Sequence, residues 1–230
     1  MDINKRNKLN VISRWKKLQD KDRKFIKNNR EKTKHLKSRI CGFLAGDGNI
    51  LKSNNKTCTH NTVRFFPDDK SLVESFNKAL SLVYNKEAKI KNKGKFYWVY
   101  IDSKVIVEDL LKTTTFDKLN WKVPKIKTKK EKIEWLKAYF DCEAHVNKKI
   151  IVVKSVNKMG LVQVKNLLKE FDITSKIYNY KPKNKNWNTN FILIISKKED
   201  RRKYLKKIGF NHTIKLKKLN KIINNYAAIA

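Results

Sequence analysis

The sequence predicts an α+β fold made of two pseudo-symmetric halves, each running helix–strand–strand–helix–strand–strand–helix (αββαββα). Three observations carry that expectation. The chain contains an internal repeat of about 95 residues. Helical and strand periodicity alternate inside each repeat. Each repeat opens on an apolar helix that ends in an acidic residue. With 230 residues, the chain can hold one large core or two small ones. Its 40% hydrophobic content, with 6 Gly and 3 Pro, argues against a disordered basic tail.

Residues 1–33 form a polar, basic extension. Val11, Ile12, Trp15, Leu18, Phe25 and Ile26 recur at spacings of three and four, which suits short amphipathic helices, with a disordered basic arm as the alternative. The first half is expected over 34–116. It opens on HLKSRICGFLAGDGNI, an apolar helix halted by Gly-Asp-Gly. Strands are expected at Asn49–Ser53 and Thr62–Phe66. Lys70–Tyr84 reads as a helix, with Leu72, Val73, Phe76, Leu80 and Val83 on one face. Ala88–Lys91 and Lys95–Ile101 read as a hairpin turning at Asn92-Lys93-Gly94, and Ser103–Leu111 as a closing helix. Residues 117–130, polar and carrying Val123-Pro124, suit a linker.

The second half is expected over 131–210. EKIEWLKAYFDCEAHV is again an apolar helix running into an acid. Lys149–Lys154 reads as a strand, Lys158–Phe171 as a helix, Ser175–Tyr180 and Asn190–Ser196 as a hairpin around a polar loop, and Arg201–Ile208 as a helix. A basic helix is expected over 211–230.

The charge balance limits the partners. Lys+Arg number 56 against 21 Asp+Glu, a formal net charge of +35. Self-repulsion on that scale is relieved by a polyanion, and nucleic acid is the natural one. No apolar run approaches the roughly 18–20 residues of a spanning helix, so no membrane partner is expected. The N-terminus lacks a signal-peptide core, so a soluble, intracellular protein of the cytoplasm or an organelle is expected. The three cysteines form no CxxC pair, and the four histidines are scattered. Zinc-finger and HNH-type chemistry therefore has no ligand spacing to rest on. Cys41 and Cys142 read as small buried filler.

The two repeat heads align as Ile40–Gly48 and Leu136–Ala144. Both place small residues at the third and seventh positions, Gly42 and Gly46 in one and Ala138 and Cys142 in the other. Both place an acid at the eighth, Asp47 and Glu143. Small residues four apart share a helix face and let two helices approach closely. Packed side by side, such helices would bring Asp47 and Glu143 together at their C-terminal ends. Two carboxylates there oppose each other and the helix dipole, an arrangement that makes sense with divalent cations between them.

These stretches resemble the two motifs of single-chain LAGLIDADG homing endonucleases. The first is similar to the GFLxGDG variant, and the second to the FDxEG variant with Ala144 in place of Gly. Val123-Pro124-Lys125-Ile126 and LVQVKNLLKEFDITSKI add to the likeness, which covers about residues 34–210. The resemblance implies that the motif helices form the interface between halves and that the sheets form a DNA-binding saddle. It implies a monomer making metal-dependent double-strand cuts in a long, asymmetric, double-stranded DNA target, with an intron-encoded origin expected. Asp47 and Glu143 would be catalytic and would ligate Mg²⁺, two or more ions in all, with the carbonyls of Gly46 and Cys142 adding ligands. A basic residue near the cut is implied too, with Lys154 and Arg64 as candidates.

Strand alternation places the expected DNA contacts on outward faces: Lys52, Arg64, Lys89, Lys91, Lys95 and Tyr97 in the first half, and Lys149, Lys154, Lys176, Tyr178 and Tyr180 in the second. Phosphate contact is the commoner role for such cations than base reading. The rival function is an RNA maturase of the same fold, with RNA as partner. A basic ribosome-associated protein would account for the charge but not for the paired acids.

Overall fold

The computed structural model describes residues 3–54, 59–182 and 188–225. Cys58, residues 226–230 of the expected C-terminal helix, and most of the loop between the last two strands fall outside them. The order of elements is the one expected. The first half comprises α1 (Ile3–Asp47), β1 (Gly48–Asn54), β2 (Thr59–Phe65), α2 (Lys70–Tyr84), β3 (Lys89–Asn92), β4 (Tyr97–Asp102) and α3 (Lys104–Leu111). The second comprises α4 (Lys129–Glu143), β5 (Ala144–Val146), β6 (Ile151–Ser155), α5 (Lys158–Lys169), β7 (Lys176–Tyr180), β8 (Asn190–Ile195) and α6 (Lys198–Lys207), followed by α7 (Thr213–Asn225).

Each half holds one four-stranded antiparallel sheet. The strand orders, β1-β2-β4-β3 and β5-β6-β8-β7, correspond strand for strand. This turns the sequence repeat into a structural one.

The helix starts follow local chemistry. Asp69, Ser103, Thr128 and Asn157 each cap a helix by accepting a backbone N–H. Thr128 and Glu131 complete a reciprocal capping box at α4. One expectation changes. The extension 1–33 is not a set of short helices: from Ile3 onward it is continuous with the first motif helix, 45 residues in all. No Gly or Pro precedes Gly42, so nothing in the sequence breaks that helix. Asp22 pairs with Lys86 at 3.1 Å and Arg23 with Glu108 at 3.4 Å, tying the extension to the first half.

The halves meet along α1 and α4, and one hydrophobic cluster runs through both. A Cβ added to Gly42 would lie 2.4 Å from the Trp135 carbonyl oxygen, and one on Gly46 2.4 Å from Cys142 Cβ. The small residues therefore do what their spacing implied. Arg39 of α1 reaches across to Glu134 of α4, Nε to Oε2 2.6 Å. Aromatic rings pack each half onto its motif helix: Phe43, Phe65 and Phe76 in the first, and Trp135, Tyr139, Phe140 and Tyr204 in the second. The segment 117–130 is more than a tether. Trp121 is buried against Trp135 and Tyr139, and its carbonyl accepts from Asn157 Nδ2 at 2.6 Å.

Candidate functional site

Asp47 ends α1 and Glu143 ends α4, each immediately before the first strand of its half. Because the helices touch at Gly46 and Cys142, one residue earlier, their ends lie together. Both acids line a single cleft with Gly46, Asn49, Lys118, Trp121, Lys154 and Asn190.

Burial acts on both acids. It raises the Asp47 carboxyl above its ordinary range, against the pull of Lys215 and a hydrogen bond from Cys142. Burial, and then the charge of Asp47, push Glu143 up to about 7, against Lys215 and Lys118. Such a pair holds its negative charge at a cost unless a cation arrives.

The cation that the fold itself brings is Lys215, on α7. Its Nζ donates to the Cys142 carbonyl at 2.8 Å and also to the Asp141 carbonyl, at the C-terminal end of α4. In return Asp141, buried in the second motif, accepts the backbone N–H groups of Asn211 and His212 at 2.8 and 2.9 Å, at the start of α7. Burial pushes Asp141 up to about 6 despite those bonds. The buried His212 ring in turn faces Asp69 and Asp68 of the first half at 3.2 and 3.4 Å. The segment 211–215 thus buckles both halves together beside the acids.

Sequence reasoning missed Lys215, Lys118, Asp141 and His212. The signal that could have found Asp141 is its place beside Glu143 in the second motif; Lys215 carries none in a segment dense with lysine. The Cys142 carbonyl, expected to face a metal, faces an ammonium group, while its Sγ lies 3.9 Å from the Phe43 carbonyl.

The residues present suit hard, oxygen-seeking divalent cations: two half-buried carboxylates lie together beside the backbone of Gly46. Among the described residues no cluster of three or more His, Cys, Asp or Glu could hold a metal. Further ligands would therefore have to come from carbonyls, water or substrate phosphate.

Strand register decides which expected contacts share a face. In the first sheet, Val63, Phe65, Val99 and Ile101 turn to the core. The opposite, open face carries Arg64, Tyr100 and Lys89 in one cross-strand row, and Trp98 and Lys91 in the next. Lys52 pairs with Asn61, on the same side as Val63, and Tyr97 lies on the side of Val99, packed against the core. Lys52 is thus exposed but not on the face of Arg64, and Tyr97 turns to the core, which corrects the shared face expected for them. The turn runs through Phe96, so β4 starts later than expected, and Tyr97 has the same parity as the core-facing Val99 and Ile101. Lys95 lies in that turn. In the second sheet Lys154, Lys176, Tyr178 and Tyr180 all lie on the open face, exposed. Lys149 is instead in the β5–β6 turn, where Arg201 donates to its carbonyl. Of the two candidate accessory cations, Lys154 lines the acidic cleft, whereas Arg64 sits in a sheet row next to Asn49.

Fold and site together define a class: single-chain proteins with two LAGLIDADG motifs in tandem halves. Comparison with known proteins agrees. Residues 130–209, most of the second half, match the LAGLIDADG-like domain, which supports a LAGLIDADG protein of the two-motif kind. Its structure matches that of the homing endonuclease I-DmoI bound to DNA and Mn, with TM-score 0.63 and 16% identity, covering 77% of this chain and 97% of that one. It also matches full-length DUF199/WhiA from Thermatoga maritima, TM-score 0.55 and 14% identity, over 84% of this chain and 61% of that one. At such identities the likeness is one of fold. Among curated proteins, the chain is 30% identical over 192 residues to the replication factor C small subunit of Methanocaldococcus jannaschii. It is 27% identical over 194 residues to the glutamine–fructose-6-phosphate aminotransferase of the same organism. It spans 10% and 17% of their lengths. Among the described residues no helix is long and apolar enough to cross a membrane.

Proposed function

We propose that the protein is a site-specific homing endonuclease that cuts both strands of a long, asymmetric DNA target with Mg²⁺. The observation that carries this reading is the pairing of Asp47 and Glu143 at the touching ends of two motif helices, in one cleft with Lys118 and Lys154. A binding protein has no use for two half-buried carboxylates held together at the centre of a chain of net charge +35. Their charges repel DNA unless cations intervene.

In this reading Asp47 and Glu143 hold the metal ions with the Gly46 carbonyl, each half serving one strand. Bound divalent cations would activate water and stabilise the leaving 3′ oxygen. Lys154 faces the scissile region from the sheet, and Lys118 from the segment after α3. Lys215 holds the end of α4 in place from below and limits the charge that accumulates there. The cations on the open sheet faces grip phosphate, which fixes register on the duplex. The chain acts as a monomer because both halves of the site are already present in it.

The relatives support a mobile origin. Proteins with unrelated names, among them a replication factor subunit and an aminotransferase, each contain a segment like this chain that makes up 10–20% of their length. A module that recurs within unrelated polypeptides behaves as an in-frame insert; an intron-encoded frame rests on the motif resemblance and not on these relatives. The DUF199/WhiA likeness shows the same fold in a protein not named as an endonuclease, which keeps a binding or maturase role as the alternative. Incubating a randomised duplex library with Mg²⁺ and sequencing the ends separates the two: double-strand cuts at a defined sequence support the nuclease, and binding without cuts supports the alternative.

A further inference from the structure

The open faces of the two sheets occupy equivalent places but differ in chemistry. Two residues beyond each acid, a cross-strand row crosses the sheet. In the first half it is Asn49, Arg64, Tyr100, Lys89, and in the second His145, Val152, Ile194, Lys176. Val152 therefore stands where Arg64 does, and Ile194 where Tyr100 does. In the neighbouring row Ile192, flanked by Lys154 and Tyr178, stands where Trp98 does.

The first sheet presents a guanidinium and aromatic rings over which lysines sit, Lys89 5.7 Å from the Tyr100 ring centre and Lys91 5.3 Å from that of Trp98. The second carries β-branched aliphatic side chains on the face turned away from its own core: Ile192 and Ile194 are partly exposed there, and the adjoining Val152 is buried. Cations and tyrosines rim them: Lys154, Lys176, Tyr178 and Tyr180, all exposed.

An apolar patch ringed by cations fits a duplex whose groove floor is itself apolar. In the major groove the thymine 5-methyl is the apolar feature, and adenine, guanine and cytosine offer only polar edges there. A guanine or cytosine edge pressed on Ile192 and Ile194 would lose its hydration with nothing to replace it. Resting on the DNA-cutting reading above, we infer that Ile192 and Ile194 are specificity determinants that select thymine in the half-site under the second sheet. The first sheet, with Arg64, reads its half-site by hydrogen bonding. The target is then chemically lopsided, not merely asymmetric in sequence.

The experiment is a binding selection from a randomised duplex library with Ca²⁺ in place of Mg²⁺, on the full chain. Deoxyuridine is then substituted for thymidine, one position at a time, in the selected duplex. Uracil removes only the methyl group. Thymine is expected to be enriched on one side of the centre. There each uracil should weaken binding about fourfold, the value of one buried methyl-sized group. Ile192→Gln and Ile194→Gln should abolish that sensitivity while leaving the preferences of the other half-site unchanged. A selected site without thymine on either side, or one insensitive to uracil, overturns the inference while leaving DNA recognition standing. Failure to enrich any duplex overturns both.

Discussion

Gly42 lies flat against the main chain of Trp135: any Cβ on it would sit 2.4 Å from the Trp135 carbonyl oxygen and 2.9 Å from Ala138 Cβ. The obstacle is backbone on a buried helix, which cannot turn aside as a flexible side chain can. Gly42→Ala is therefore expected to push α1 and α4 apart and to destabilise the fold by about 1–3 kcal/mol, the usual range for overpacking a tight core. Urea denaturation measures this directly, and an unchanged midpoint would mean the helices are not in that contact.

The raised carboxyl of Glu143 sets a pH dependence. Its folded value, about 7, lies above the ordinary 4.5, so the folded state favours the protonated form. That contribution is fully present below pH 4.5 and is lost as pH rises through about 7. Glu143→Gln keeps the neutral form at every pH. In metal-free buffer, the stability of the variant relative to the parent should grow between pH 4.5 and 7.5, by an amount on the order of 1–3 kcal/mol. Thermal denaturation of both across that range checks it. A constant difference would remove burial and the Asp47 charge as active forces on Glu143.

Lys215 is expected to matter through the helix end it caps. Lys215→Met keeps most of the aliphatic stem and removes the donor to the Asp141 and Cys142 carbonyls, so a loss of about 1–2 kcal/mol is expected. The substitution also removes the positive charge that lowers Asp47 and Glu143. The pH at which divalent ions begin to bind should therefore move upward. Terbium luminescence sensitised by Trp121, which lines the same cleft, reads the second effect independently of stability.

Much of this architecture is legible in the sequence where periodicity is strong. Lys70–Tyr84 was delimited to the residue by its apolar stripe, and Ser103 was placed at the start of its helix, where it serves as the cap. The four-residue spacing of Gly42 and Gly46 announced a close helix pair, because only packing demands small residues at that interval. Strand faces were less legible. Lys52 has the parity of Ile50, and Tyr97 that of Val99 and Ile101, so alternation puts each on the core side of its sheet although its own polar group suggests the other. The buckle of His212, Asp141 and Lys215 was invisible for another reason: its bonds span more than 70 residues, and no local pattern distinguishes Lys215 from its neighbours. The continuous α1 was available, since nothing before Gly42 breaks a helix, yet its exposed polar stretch resembles a solvated arm.

Asp47 and Glu143, as a catalytic pair that holds metal, are the centre of the proposed activity. The measurement that bears on it most directly is cleavage of a selected duplex in Mg²⁺ by the parent, Asp47→Asn and Glu143→Gln, with binding measured alongside in Ca²⁺. Double-strand cleavage should be abolished in both variants while each binds the duplex about as tightly as the parent. If either variant still cuts both strands at the parental rate, the two acids are not the catalytic centre and the nuclease reading of this site is wrong.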